Sequence, residues 1–141
     1  MKEIGNHKKN NQTVRNTGLY YVCYELSKRG WNVLPTSRNP KGVDIVIRSQ
    51  KATRTHTIKV KTLSKKSPVP FGNNPPNLIA EYVIVCRNVF DEKPEIFFIE
   101  SNKVKENIHR GEKDNKISYW LQSKDYEGYK DNWGIIGDGY E

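Results

Sequence analysis

The stretch GVDIVIRSQKATRTHTIKVKTLSKK, residues 42–66, decides how the chain is read. Two apolar runs, 43–47 and 58–63, flank a polar connection, which is the pattern of a β-hairpin. Asp44 opens the first run, and Lys59 and Lys61 stand two residues apart on the second. Alternate side chains of a strand share a face, so Ile58 and Val60 turn toward a core while Lys59 and Lys61 turn together to the other side. One carboxylate and two ammonium groups are therefore expected to converge beside two buried strands.

Asp44 is the only acid between Glu25 and Glu81, whereas residues 28–66 carry eleven Lys and Arg. A lone carboxylate in such a field has two uses. It pairs with a lysine or accepts from nearby backbone amides, or it binds a metal ion. The whole chain shares this asymmetry. Its net charge is +8, yet residues 1–80 hold fifteen Lys and Arg against three acids, and residues 81–141 hold nine against thirteen. A strongly positive surface follows, and its natural partner is a polyanion, nucleic acid above all.

Gly-Val-Asp-Ile-Val-Ile, a gap, and then Ile-Lys-Val-Lys-Thr resemble the core motif of the PD-(D/E)xK nuclease superfamily, the fold of many restriction endonucleases and Holliday-junction resolvases. The helix ending in LSKRGW and the runs 82–86 and 96–99 extend the resemblance over residues 12–100. The resemblance implies an α/β fold with a restriction-endonuclease-like core: a central mixed β-sheet of about five strands flanked by helices. It also implies Mg²⁺- or Mn²⁺-dependent phosphodiester hydrolysis of DNA. Asp44 and the backbone carbonyl of Val60 would hold the ion, Lys61 would orient or activate the water, and Glu25 or Glu81 could complete the ligand set. Enzymes of this kind are often homodimers, because two strands need two sites.

Lys59 departs from the pattern, since the superfamily places Glu, Asp or Gln there. An ammonium at that position repels a divalent cation. DNA binding with metal-dependent cleavage stays the leading reading, and the alternative is a nuclease-fold module that only binds DNA, with Lys59 and Lys61 as phosphate ligands. A third class is an accessory protein-interaction domain.

The remaining sequence supplies the frame. A length of 141 residues with 35% hydrophobic side chains suits one domain with a compact core. Residues 1–11 read as a flexible basic tail and 12–141 as the domain. A helix is expected from residues 11–13 to Arg29, with Leu19, Val22, Cys23 and Leu26 as its core stripe and Gly30 as its stop. A short strand, 32–34, leads into a turn-rich loop. There Thr36, Ser37, Arg38 and Lys41 are either phosphate contacts or ordinary loop residues. Residues 64–76, with four of the seven prolines, read as a long loop where the superfamily has a helix. This loop carries Lys65 and Lys66 toward the phosphate, with Phe71 as an apolar anchor. Strands 82–86 and 96–99 follow, then a short helix capped by Ser101 or Asn102, and an exposed loop over 110–117. The aromatic segment 118–137 is expected to pack over the sheet as a lid. Cys23 and Cys86 read as free core thiols, and no run has the length of a membrane span or the pattern of a signal peptide. A cytoplasmic protein is expected.

Overall fold

The computed structural model describes residues 10–37 and 42–141. Its frame is a five-stranded mixed sheet in the order β1-β2-β3-β5-β6: Asn32–Pro35, Ile45–Arg48, Thr55–Thr62, Tyr82–Arg87 and Glu95–Glu100. The β2–β3 hairpin is antiparallel, with Ile45 opposite Ile58 and Arg48 opposite Thr55. β3 and β5 are parallel, and the other pairs are antiparallel. The expected mixed sheet of five strands is thus present, with Asp44 immediately ahead of β2 rather than within it.

Helix α1, Asn11–Lys28, lies on one face of this sheet. The Asn10 side chain caps it by accepting from the Thr13 N–H at 2.7 Å. At the other end Gly30 takes φ +92°, and the Trp31 N–H returns to the Leu26 carbonyl. Val22 and Leu26 are fully buried against Ile45, Ile47, Ile58, Ile84, Cys86 and Phe98, with Leu19 and Cys23 packed at the margin. Each fully buried aliphatic side chain contributes about 1.5–3 kcal/mol. Gly18 is where helix and sheet approach most closely: a Cβ there would lie 2.0 Å from Oγ1 of Thr62 on β3.

The opposite face is covered differently from the helical flank the sequence suggested. The crossover from β3 to β5, residues 63–81, contains no α-helix; it carries the two-residue strand β4, Val69–Pro70. A parallel pair needs a connection of a dozen or more residues, normally helical. Here the connection joins a second sheet instead, in the order β4-β8-β7, with β7 at His109–Lys113 and β8 at Lys116–Leu121. Residues expected as an exposed loop over 110–117 therefore form an antiparallel hairpin, closed by Asp114 and Asn115 at φ +52° and +62°. Leu63, Val69, Val83, Val85, Phe97, Ile99, Val104, Leu121 and Tyr126 build the core beneath it. β5 and β6 send alternate residues to both cores, which explains their nearly continuous apolar sequence.

The short helix α2, Ser101–Glu106, follows β6, with Glu100 at its N-cap position and no side-chain cap. The Ser101 hydroxyl donates instead to the Ala80 carbonyl. In the aromatic C-terminal segment, α3, Ser123–Tyr126, seats Tyr126 edge-on against Phe97 in the second core. Trp133 and Ile136 reach the first core, with Trp133 against Phe98 and beneath the Arg29 guanidinium. Arg87, almost buried, anchors this segment through Glu95 at 3.0 Å and Glu127 at 3.1 Å. Among the described residues, no helix is long and apolar enough to cross a membrane.

Candidate functional site

β2 begins only at Ile45, one residue after Asp44, so the Val60 N–H on β3 lacks a strand partner on that side; the Asp44 carboxylate takes its place, accepting that N–H through Oδ2 at 2.7 Å. The Asp44 backbone is fixed as well. Its N–H donates to the Ile58 carbonyl, and its carbonyl accepts from the Thr36 N–H, both at 2.9 Å. The Thr36 hydroxyl donates to the Val43 carbonyl at 2.7 Å. Thr36 thus acts through the main chain, clamping the entry to β2.

The same Asp44 oxygen faces the Lys59 ammonium at 3.5 Å, with the two side chains 26% and 27% exposed. Lys61 lies one step further along the same face, its ammonium 4.7 Å from the centre of the Phe71 ring. Burial pushes Lys61 below the usual lysine range. The charges of Lys59 and Arg15 act in the same direction, and Asp44 opposes them.

Helix α1 supplies the opposite wall. A cleft of about 170 Å³ is lined by Gln12, Arg15, Asn16, Leu19, Asp44, Lys59, Val60 and Thr62. A second cleft of about 330 Å³ shares Arg15, Lys59, Val60 and Thr62 with it and reaches Lys61 and Pro70. The Gln12 amide donates to Asn16 at 2.9 Å and accepts from Arg15 at 3.4 Å, which holds the three polar side chains together. Gln12, Arg15 and Asn16 were not singled out in the sequence. Their signal was the helical stripe itself: residues 12, 15, 16 and 19 continue the spacing of Val22, Cys23 and Leu26 back toward the N-terminus, changing from apolar to polar.

The structure brings Asp44, Lys59, Val60 and Lys61 together and places the other expected residues apart. Glu25 lies near the far end of α1, paired with Lys28 at 3.4 Å and Arg29 at 3.5 Å. Glu81 pairs with His56 at 2.7 Å. Ion pairing on other parts of the sheet and helix thus engages both carboxylates that were considered as completing a metal site. Lys65 and Ser37 are exposed, while Lys66 is 3.0 Å from Glu127. Arg38 and Lys41 lie outside the described residues.

A divalent ion does not fit this donor set as it stands. Mg²⁺ is held by carboxylate and other oxygens, and Asp44 is the only carboxylate among the residues lining either cleft. Its inward oxygen already meets an ammonium and a backbone N–H. Among the described residues, no three His, Cys, Asp or Glu side chains gather as a metal centre requires. Together the two clefts present three cations, Arg15, Lys59 and Lys61, the amides of Asn11, Gln12 and Asn16, and one carboxylate, Asp44, which pairs with Lys59.

No protein-family model matches this chain, and no curated protein matches it in sequence. In structure it is similar to a bacterial homing endonuclease, I-Ssp6803I, with a TM-score of 0.62 over 92% of each chain at 11% sequence identity. With the β2–β3 hairpin, the parallel β3–β5 pair and α1 packed across them, the chain has a restriction-endonuclease-like fold.

Proposed function

We propose that this chain binds duplex DNA and seats a backbone phosphate in the cleft between α1 and β3, against Arg15, Lys59 and Lys61. The observation that carries this reading is that Arg15, Lys59 and Lys61 line one cleft, while Asp44, 3.5 Å from the Lys59 ammonium, lines the cleft that adjoins it. Asp44 serves this arrangement by holding the Lys59 ammonium toward the cleft rather than by neutralising a metal ion. Likeness to a homing endonuclease supports DNA as the polyanion, and the basic first eighty residues supply the attraction.

A second reading, phosphodiester cleavage, is favoured by Lys61. Its burial weakens the charged form, and a neutral amine beside the phosphate can accept a proton from an attacking water. One set of measurements tests both. Duplex binding followed by fluorescence anisotropy against salt should lose about one unit of log–log slope for each of Arg15→Ala, Lys59→Ala and Lys61→Ala. Unchanged affinity and slope in all three variants would overturn the phosphate site. Nicking of supercoiled DNA in Mg²⁺ or Mn²⁺, lost in Asp44→Ala and Lys61→Ala, would establish cleavage; nicking that survives both substitutions belongs to something else.

A further inference from the structure

The second sheet meets the phosphate site at β4, whose Pro70 lines the second cleft. Phe71, whose ring lies over Lys61, also continues β4: its N–H donates to the Tyr119 carbonyl, and the Tyr119 N–H donates to Gly72, both at 2.9 Å. From Tyr119 the β7–β8 hairpin runs three residues to Lys116, which pairs with Lys113 across the Asp114–Asn115 turn. Both turn residues have positive φ, the two-residue geometry that matches strand twist and gives a firm tip.

Beside the tip is a notch of about 450 Å³ lined by Asn73, Asn115, Lys116 and Ile117. Asn73, Lys113, Asn115 and Lys116 are all exposed. Among the described residues, none of these four side chains makes a hydrogen bond or ion pair. The lone acid of the tip, Asp114, sits between two lysines in the chain. One free amide and two free ammonium groups on a narrow antiparallel ribbon, with the Asn73 amide beside them in the segment after β4, have the chemistry that reads base edges. An amide pairs with N6 and N7 of adenine, an ammonium with O6 and N7 of guanine, and a two-stranded ribbon fits the B-form major groove.

Resting on the DNA-binding reading above, we infer that the β7–β8 hairpin enters the major groove of duplex DNA and reads bases with Asn73 and Asn115. The A-form major groove is too deep and narrow for such a ribbon, which sets DNA apart from double-stranded RNA as its partner.

The experiment is selection from a pool of randomised duplexes at fixed salt, followed by anisotropy titration of the selected and a scrambled duplex. It compares the wild type with Asn73→Ala/Asn115→Gly and with Asn73→Ala alone. Glycine tolerates the positive φ of position 115, so the turn survives, and thermal unfolding confirms that each variant is folded. The wild type should prefer the selected duplex. The double variant should bind the scrambled one within about twofold of wild type and lose roughly 5- to 150-fold of the preference at one or two base pairs. Full preference retained in the double variant would overturn the ribbon's role. A wild type that binds every duplex equally would overturn it too, while leaving the phosphate site intact. No duplex bound even at low salt would remove both.

Discussion

Replacing Lys59 by Gln tests how the site chooses its cation. A divalent ion on the open side of the Asp44 carboxylate would sit about 2.1 Å from the oxygen. The Lys59 ammonium lies 3.5 Å from that same oxygen, so the two charges would be separated by at most about 5.6 Å. At an effective dielectric of ~20, a unit charge and a double charge at that distance repel by about 6 kcal/mol. Lys59 is 27% exposed and free to swing outward, so about a third of this, roughly 2 kcal/mol, is the part expected to persist. That corresponds to about 30-fold in affinity. Mg²⁺ and Mn²⁺ titrations by calorimetry should therefore show binding about 30-fold tighter in Lys59→Gln than in the wild type. Lys59→Met separates charge from ligation: it should recover most of the gain, because it removes the ammonium without adding an oxygen. Asp44→Asn in the Lys59→Gln background should abolish the gain. Identical titrations in wild type, Lys59→Gln and Lys59→Met would show that the ammonium does not govern cations at Asp44, and the account of this cleft as a lysine-filled anion site would fail.

Three further outcomes follow from the same structure. Gly18→Ala should destabilise the fold by about 1–3 kcal/mol in chemical denaturation, despite the ~1 kcal/mol gain in helix propensity, because the added methyl collides with Thr62; equal or greater stability would show that α1 shifts freely on β3. Lys61→Met should raise thermal stability while weakening DNA binding, since a lysine whose pKa burial lowers is one whose charged form the fold penalises; this gain should shrink as pH rises and the wild-type amine is neutralised. Glu95, held at about 2 chiefly by its hydrogen bond from Arg87, contributes stability that is complete above the ordinary value of 4.5 and is lost as pH falls from there toward 2. Acid unfolding curves of Glu95→Gln should lack that descent and start about 1–3 kcal/mol lower at neutral pH; a curve parallel to wild type would contradict the assignment.

The residues that the sequence placed correctly share one property: their positions follow from the strand or helix period alone. Lys59 and Lys61 fall on one face because strand side chains alternate, and Asp44 joins them because a hairpin brings the start of one strand to the end of the other. Gly30 ends α1 because only a left-handed residue lets Trp31 return to Leu26. What escaped was set by contacts distant in sequence. The run RGEKDNKI looks like a loop because charges occupy both faces of the ribbon; it is held as strand by pairing of β8 with β4, some fifty residues earlier. Arg15 looks like an ordinary exposed helix residue, and only the docking of α1 at Gly18 on Thr62 brings it into the cleft that Lys59 lines. The absence of a helix after β3, by contrast, was legible in the four prolines of residues 64–76. A proline-rich segment that cannot sustain a helix found its hydrogen bonds on β8 instead.

The helix-free connection between β3 and β5 also bears on how the molecule is made. During synthesis β3 emerges well before β5, and β4 must wait longer still for β8. For that interval one edge of β3 is open, an invitation to pair with another nascent chain. The two lysines spaced along it, Lys59 and Lys61, then serve as gatekeepers: their mutual repulsion opposes a second copy aligning in register. The charges that would draw in a nucleic acid once folding is finished thus protect the unfinished chain from aggregation, so neutralising both should lower the yield of soluble protein as well as affinity.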